Sequence, residues 1–245
     1  MTITTTASET AIFRDITQLA HSLLAASSSI DGSVSNPKVV STALFRRLIG
    51  HHVGFEVLWR QELLLEADII LRSGLEAAIC LAANVRVPNL FGQLLPADAA
   101  HTLQSQIKMY RHDNDTEMVR QAEGILRDLQ KALGPDQKAA ALNWKALAAQ
   151  GDVTRLYDWY KTLSGVSSHV SGMSIMRDIQ NRKVADAQEL LRQHGQKMHY
   201  MMMGLATLQG STFHAHAINE PELLERSLAI AERMSEVSFD WPGVS

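Results

Sequence analysis

The stretch Leu65 to Cys80, LEADIILRSGLEAAIC, decides the fold: it is apolar on almost every helical face and yet carries Glu66, Asp68, Arg72 and Glu76. Charges inside such a helix need partners, because an unpaired buried charge costs more than its neighbours' packing returns. Asp68, Arg72 and Glu76 follow one another at i, i+4 steps, so one flank of the helix carries a carboxylate, guanidinium, carboxylate ladder. The ladder is either a structural staple or the floor of a site. Leu63 to Val85 has the length of a membrane span, but four ionisable residues within Glu66 to Glu76 make a lipid-facing placement costly. It reads instead as the central helix of a soluble core. The other apolar concentration, Met198 to Leu208, is short and interrupted by His199 and Gly204, so no membrane is expected.

Working outward, the six prolines, at 37, 88, 96, 135, 221 and 242, bound long intervals of helical rather than alternating periodicity. The expectation is an all-α, single-domain bundle of about seven or eight helices. A first helix starts at a Ser8 N-cap and stops at Ser27-Ser28-Ser29, and Lys38 to Val85 forms one long helix, bent at Gly50 or Gly54, or two in tandem. Asn84 to Pro96 reads as a loop or single turn, followed by an antiparallel pair over Ala97 to His112 and Thr116 to Leu133. An alanine-rich connector leads from Gly134-Pro135 to a helix capped by Asp152 or Thr154. Helices over Val184 to Ala217 and Pro221 to Ser238 close the chain. Residues 1–36 form an N-terminal helix and turn, 37–182 a core, and 183–245 a C-terminal helical pair, all within one domain spanning 1–245.

A chain of 245 residues with 46% hydrophobic content buries a sizeable core. Its formal net charge of -3 supplies no global basic field, which disfavours nucleic acid as a partner. The single cysteine, Cys80, has no disulfide partner and reads as a plain buried thiol. With no signal-peptide pattern in MTITTTASETAIF, the expected location is cytoplasmic. The last segment carries six acids, Glu220, Glu222, Glu225, Glu232, Glu236 and Asp240, against Arg226 and Arg233, and reads as a solvated amphipathic face rather than a dock for a basic partner. Met198 and Met201-Met202-Met203 are core filler on a long helix or the seam of a homodimer.

Chemistry concentrates in two places that converge if the bundle folds as expected. The first is Arg72-Ser73-x-x-Glu76 with Asp68; the second is Tyr157-x-x-Tyr160-x-x-x-Ser164-x-x-x-Ser168-His169. On a helix the second series lines up hydroxyls along one stripe, and buried hydroxyls need hydrogen-bond partners. A guanidinium with five N–H donors and a neighbouring carboxylate supply them.

The Arg-Ser-x-x-Glu step on a long apolar helix, followed by Tyr-x-x-Tyr-x-x-x-Ser and then His169, resembles a large bacterial family of all-helical proteins grouped as domains of unknown function. The resemblance spans Lys38 to Arg182. It carries over Arg72, Glu76, Tyr160, Ser164 and His169 and implies no settled activity, although roles in stress or phage defence are proposed for some members.

The resulting expectation is a buried polar cluster of Arg72, Glu76, Tyr157, Tyr160, Ser164 and His169, with Asp68, that binds a small polar ligand or a protein partner. Arg72 clamps an anionic or carbonyl group, the tyrosines form a wall, and His169 stands at the mouth. Against it stands a purely structural network that fixes helix register in a protein built for protein interaction. A ribonuclease of the kind found in helical toxin and defence proteins is the other alternative, since Arg46 to His51 and Arg47 to His52 in RRLIGHH have the Arg-x4-His spacing that positions and protonates phosphates. Whether the protein is an enzyme stays open at this level. No cofactor and no metal site are expected: only His52-x-x-x-Glu56 has a helical ligand spacing, and Gly-rich phosphate loops, G-x-S-x-G, C-x-x-C and H-E-x-x-H are missing.

Overall fold

The computed structural model describes residues 5–33, 35–133, 138–166, 175 and 186–238. Among them the fold is all-α, with nine helices: α1 (Ala7–Ala26), α2 (Pro37–Arg60), α3 (Leu64–Arg86), α4 (Pro88–His112), α5 (Thr116–Leu133), α6 (Trp144–Gln150), α7 (Thr154–Val166), α8 (Asp186–Ile218) and α9 (Pro221–Ser238). The count exceeds the expected seven or eight because α6 forms inside the connector. There Asn143 accepts from the Ala146 amide and caps a two-turn helix whose Leu147 and Ala148 are buried.

The stretch Leu65 to Cys80 is the middle of the central helix. α3 packs along α2 and α8 on one side and α6 and α7 on the other. Leu71, Leu75, Ala78, Ile79, Leu81, Ala82 and Ala83 are wholly buried on it, and each large aliphatic chain taken from water contributes about 1.5–3 kcal/mol. Close approach needs small residues at two places. A methyl at Gly151, just after α6, would lie 2.8 Å from Ala82 Cβ on α3, and one at Gly210 of α8 would collide with Leu48 of α2. Met201 and Met203 are themselves buried in this core, so these two are filler and not a seam between copies.

Three boundaries differ from the sequence expectation. α1 begins two residues earlier, because Thr6 and Glu9 form a reciprocal capping box. The Lys38 to Val85 interval is two helices, and the break falls at Gln61 to Leu63 and not at Gly50 or Gly54; Glu62 takes a left-handed φ of 58° without being glycine. α4 starts at Pro88 and runs through Pro96, where a loop was expected. Pro88 sits in the first turn, where its missing N–H costs nothing. Pro96 removes one helical hydrogen bond, and the loss is offset by Phe91 in the main core and Ala97 and Ala100 in a second cluster beneath α5.

α4 and α5 form the expected antiparallel pair, joined through Asn114 at φ 59° and tied by Arg111 Nη2 to Glu123 Oε1 at 2.6 Å. α9 turns its acids Glu222, Glu225, Glu232 and Glu236 to solvent while Ser227, Ile230 and Met234 face inward, the solvated face read from the sequence. Among the described residues, no helix is long and apolar enough to cross a membrane.

Candidate functional site

α3 and α7 cross where Arg72 meets the hydroxyl stripe. Arg72 Nε donates to Ser164 Oγ at 2.9 Å, and Nη2 donates both to Tyr160 Oη at 3.1 Å and to Glu76 Oε1 at 3.0 Å. The guanidinium carbon also lies 4.8 Å from the Tyr160 ring centroid, in cation–π range. The spacing Tyr160-x-x-x-Ser164 places the two oxygens one turn apart, within reach of a single planar fork. The arrangement fixes protons as well as positions. Ser164 Oγ gives its own proton to the Tyr160 carbonyl at 2.7 Å, so toward Arg72 it only accepts. Tyr160 Oη likewise accepts from Arg72, which directs the phenolic O–H away from the guanidinium.

This cluster is a rim and not the deep interior that the sequence suggests: the side chains of Arg72 and Glu76 keep 23% and 21% of their exposure. The Glu76 carboxyl is nonetheless raised above its ordinary range by burial, against the opposing pull of Arg72 and Arg47. Outside the rim lies an open depression of about 420 Å³ between α7 and the start of α6, lined by Tyr157, Tyr160 and Ser164 together with Asn143, Trp144, Lys145 and Lys161. Tyr160 stands at its back between two other rings, with centroids 5.8 Å from Trp144 and 5.9 Å from Tyr157. Two lysines and three aromatic rings, two of them phenols, therefore surround one concavity of small-molecule size.

Of the expected cluster, the structure gathers Arg72, Glu76, Tyr157, Tyr160 and Ser164. His169 lies outside the described residues. Asp68 does not complete the ladder to Arg72 as an ion pair; its carboxylate, 2% exposed as a residue, is 2.6 Å from His199 Nδ1 on α8. The ladder parts because Arg72 is drawn to α7 while Asp68, one turn earlier, faces α8. Trp144, Lys145 and Lys161 were missed. The signals were a lone tryptophan in an alanine-rich connector with Asn143 in capping position before it, and a lysine one step after Tyr160.

The RRLIGHH segment lies on α2 with Arg46 and Arg47 exposed and His52 wholly buried. Thr17 Oγ1 donates to the Phe13 carbonyl at 2.9 Å, so it can only accept from His52 Nε2 at 2.8 Å, which makes Nδ1 the acceptor for Thr207 Oγ1 at 3.0 Å. With Phe13 stacked on its ring at 4.4 Å, His52 offers a substrate no open nitrogen. Burial, then His21, lowers its pKa to about 4. His214, stacked on Phe45 and bonded through Nδ1 to Ser41 at 2.9 Å, is lowered to about 4 by burial. His51 is half-buried, its pKa lowered by burial and by Arg47. Glu56 pairs with Arg60 and not with His52, and among the described residues no three His, Cys, Asp or Glu side chains gather as a metal site. Cys80 is a buried thiol pushed up to about 12 by burial and then by Glu76 and Asp98, which keeps it protonated and unreactive.

Compared with family models, with curated proteins and with solved structures, the chain matches none.

Proposed function

We propose that this protein binds a small anionic molecule in the depression between α6 and α7, with Arg72 as the residue that positions the Tyr160 hydroxyl on its wall. The observation that carries this reading is the lining itself: Lys145, Lys161 and the Tyr160 hydroxyl, whose proton is not used toward Arg72, can all donate, and no carboxylate lines the same concavity among the described residues. A purely structural network has no need of two lysines around an open space, since exposed ammonium groups contribute little to stability. Arg72, held by Glu76 and by two hydroxyls, keeps Tyr160 and Ser164 in register, so the site is preorganised before a ligand arrives. The resemblance of the Arg72 to Glu76 and Tyr157 to Ser164 steps to the helical bacterial family fits the same placement, because those steps are the ones that meet here.

Titration calorimetry with acetate, benzoate, inorganic phosphate and oxalate tests the proposal. At least one of these anions is expected to bind with saturation at one site. The Lys145→Glu/Lys161→Glu double variant is expected to bind it at least about tenfold more weakly, since exchanging two cations for two anions costs well over 1.4 kcal/mol near an anion. No saturable binding by any of the four, or equal binding by the double variant, contradicts it.

A further inference from the structure

We infer that the ligand class is a planar aromatic acid, whose ring lies against Trp144 and Tyr157 while its carboxylate meets Lys145, Lys161 and the Tyr160 hydroxyl. The inference rests on the anion-binding reading above and narrows it. Three aromatic rings line one depression, and they form a continuous wall: Trp144 and Tyr157 each approach Tyr160 within 6 Å at tilts of 42° and 32°. Aromatic pairs favour such tilted and offset contacts, and a flat ligand ring extends the same pattern. Trp144 and Tyr157 are only half-buried, and both line the cavity.

The polar half of the site is equally selective. Arg72 occupies the acceptor side of Tyr160, which lines the cavity, and so leaves the phenolic proton free to be donated to a ligand there. Lys145 and Lys161 add mobile point charges in place of a rigid fork, which suits one compact carboxylate at the edge of a ring. At about 420 Å³ the depression takes a body of one or two fused rings and is larger than a bare inorganic ion requires. A bare anion forgoes the aromatic wall, and a neutral aromatic forgoes the two lysines.

The test compares benzoate and 2-naphthoate with acetate, inorganic phosphate and neutral benzamide by calorimetry on the whole chain. Both aryl carboxylates are expected to bind at least about tenfold more tightly than acetate and than benzamide. Trp144→Leu and Tyr157→Leu should each shrink the benzoate-to-acetate ratio, and Tyr160→Phe should weaken both anions alike while leaving the ratio unchanged. Two leucine variants guard against one of them failing to fold, which far-ultraviolet circular dichroism reports. Acetate or phosphate binding as tightly as benzoate overturns the aromatic class but leaves the anion site standing. Benzamide binding as tightly as benzoate overturns the role of the lysines, and silence from all five removes the inference together with the reading beneath it.

Discussion

The seam that α1, α2 and α8 close around His52 and the rim where α3 meets α7 at Arg72 both place polar groups among apolar helices, and they satisfy them in opposite ways. In the seam, both nitrogens of a wholly buried imidazole are matched to Thr17 and Thr207 from two other helices, Nε2 donating to the first and Nδ1 accepting from the second. At the rim, Arg72 keeps about a quarter of its side chain exposed and holds Tyr160 and Ser164 as acceptors, beside an open depression with two lysines. A closed network is worth stability and offers nothing to a ligand; a half-open one is worth little stability and presents a surface. The two sites therefore differ in what their removal costs.

Acid breaks the comparison most strongly. His52 and His214 have folded-state pKa values lowered to about 4, against an ordinary value of 6.5, so the unfolded chain binds protons that the folded chain refuses. Their contribution to stability is complete above pH 6.5 and is lost as the pH falls toward 4. By pH 5 the loss is roughly 2 kcal/mol for each histidine, or on the order of 4 kcal/mol together. Urea unfolding at pH 7.5 and pH 5 is expected to show that drop; a midpoint unmoved between the two would mean that these imidazoles accept protons in place.

His52→Ala comes next. It removes a ring stacked on Phe13 and leaves the buried Thr207 hydroxyl short of a partner, which costs about 3 kcal/mol. Denaturant unfolding should register that loss together with roughly half of the acid dependence. A loss under about 1 kcal/mol would mean that the seam is not closed as described. The smallest effect is at the rim. Glu76→Gln keeps the shape and removes a half-buried charge, and thermal unfolding should place it within about 1 kcal/mol of the parent.

Much of this contrast was legible in the sequence, for reasons that differ from residue to residue. The central helix is apolar nearly all round, and only a helix wrapped by others reads that way, so α3 was found with its place in the core. Arg72, Tyr160 and Ser164 were legible because i, i+4 spacing on two helices leaves few ways for a guanidinium to reach two hydroxyls. The partner of Asp68 was not, since His199 stands 131 positions away and nothing local distinguishes it from the chain's other histidines. The break at Glu62 was hidden for a similar reason. Its left-handed φ is imposed where α2 and α3 fold back on each other, on a residue that carries none of the usual turn chemistry. Pro96 misled in the other direction, because packing on both sides of α4 outweighs one lost hydrogen bond.

The central claim is that Arg72 positions the Tyr160 donor for a ligand and does little to hold the fold, and Arg72→Met combined with Glu76→Gln, which leaves no carboxylate without its partner, tests it most directly when unfolding free energy and benzoate affinity are measured on the same sample. The predicted result is a stability within about 1 kcal/mol of the parent, in either direction, with benzoate binding weakened at least about tenfold. A variant that loses several kcal/mol, or one that binds benzoate as the parent does, contradicts the account.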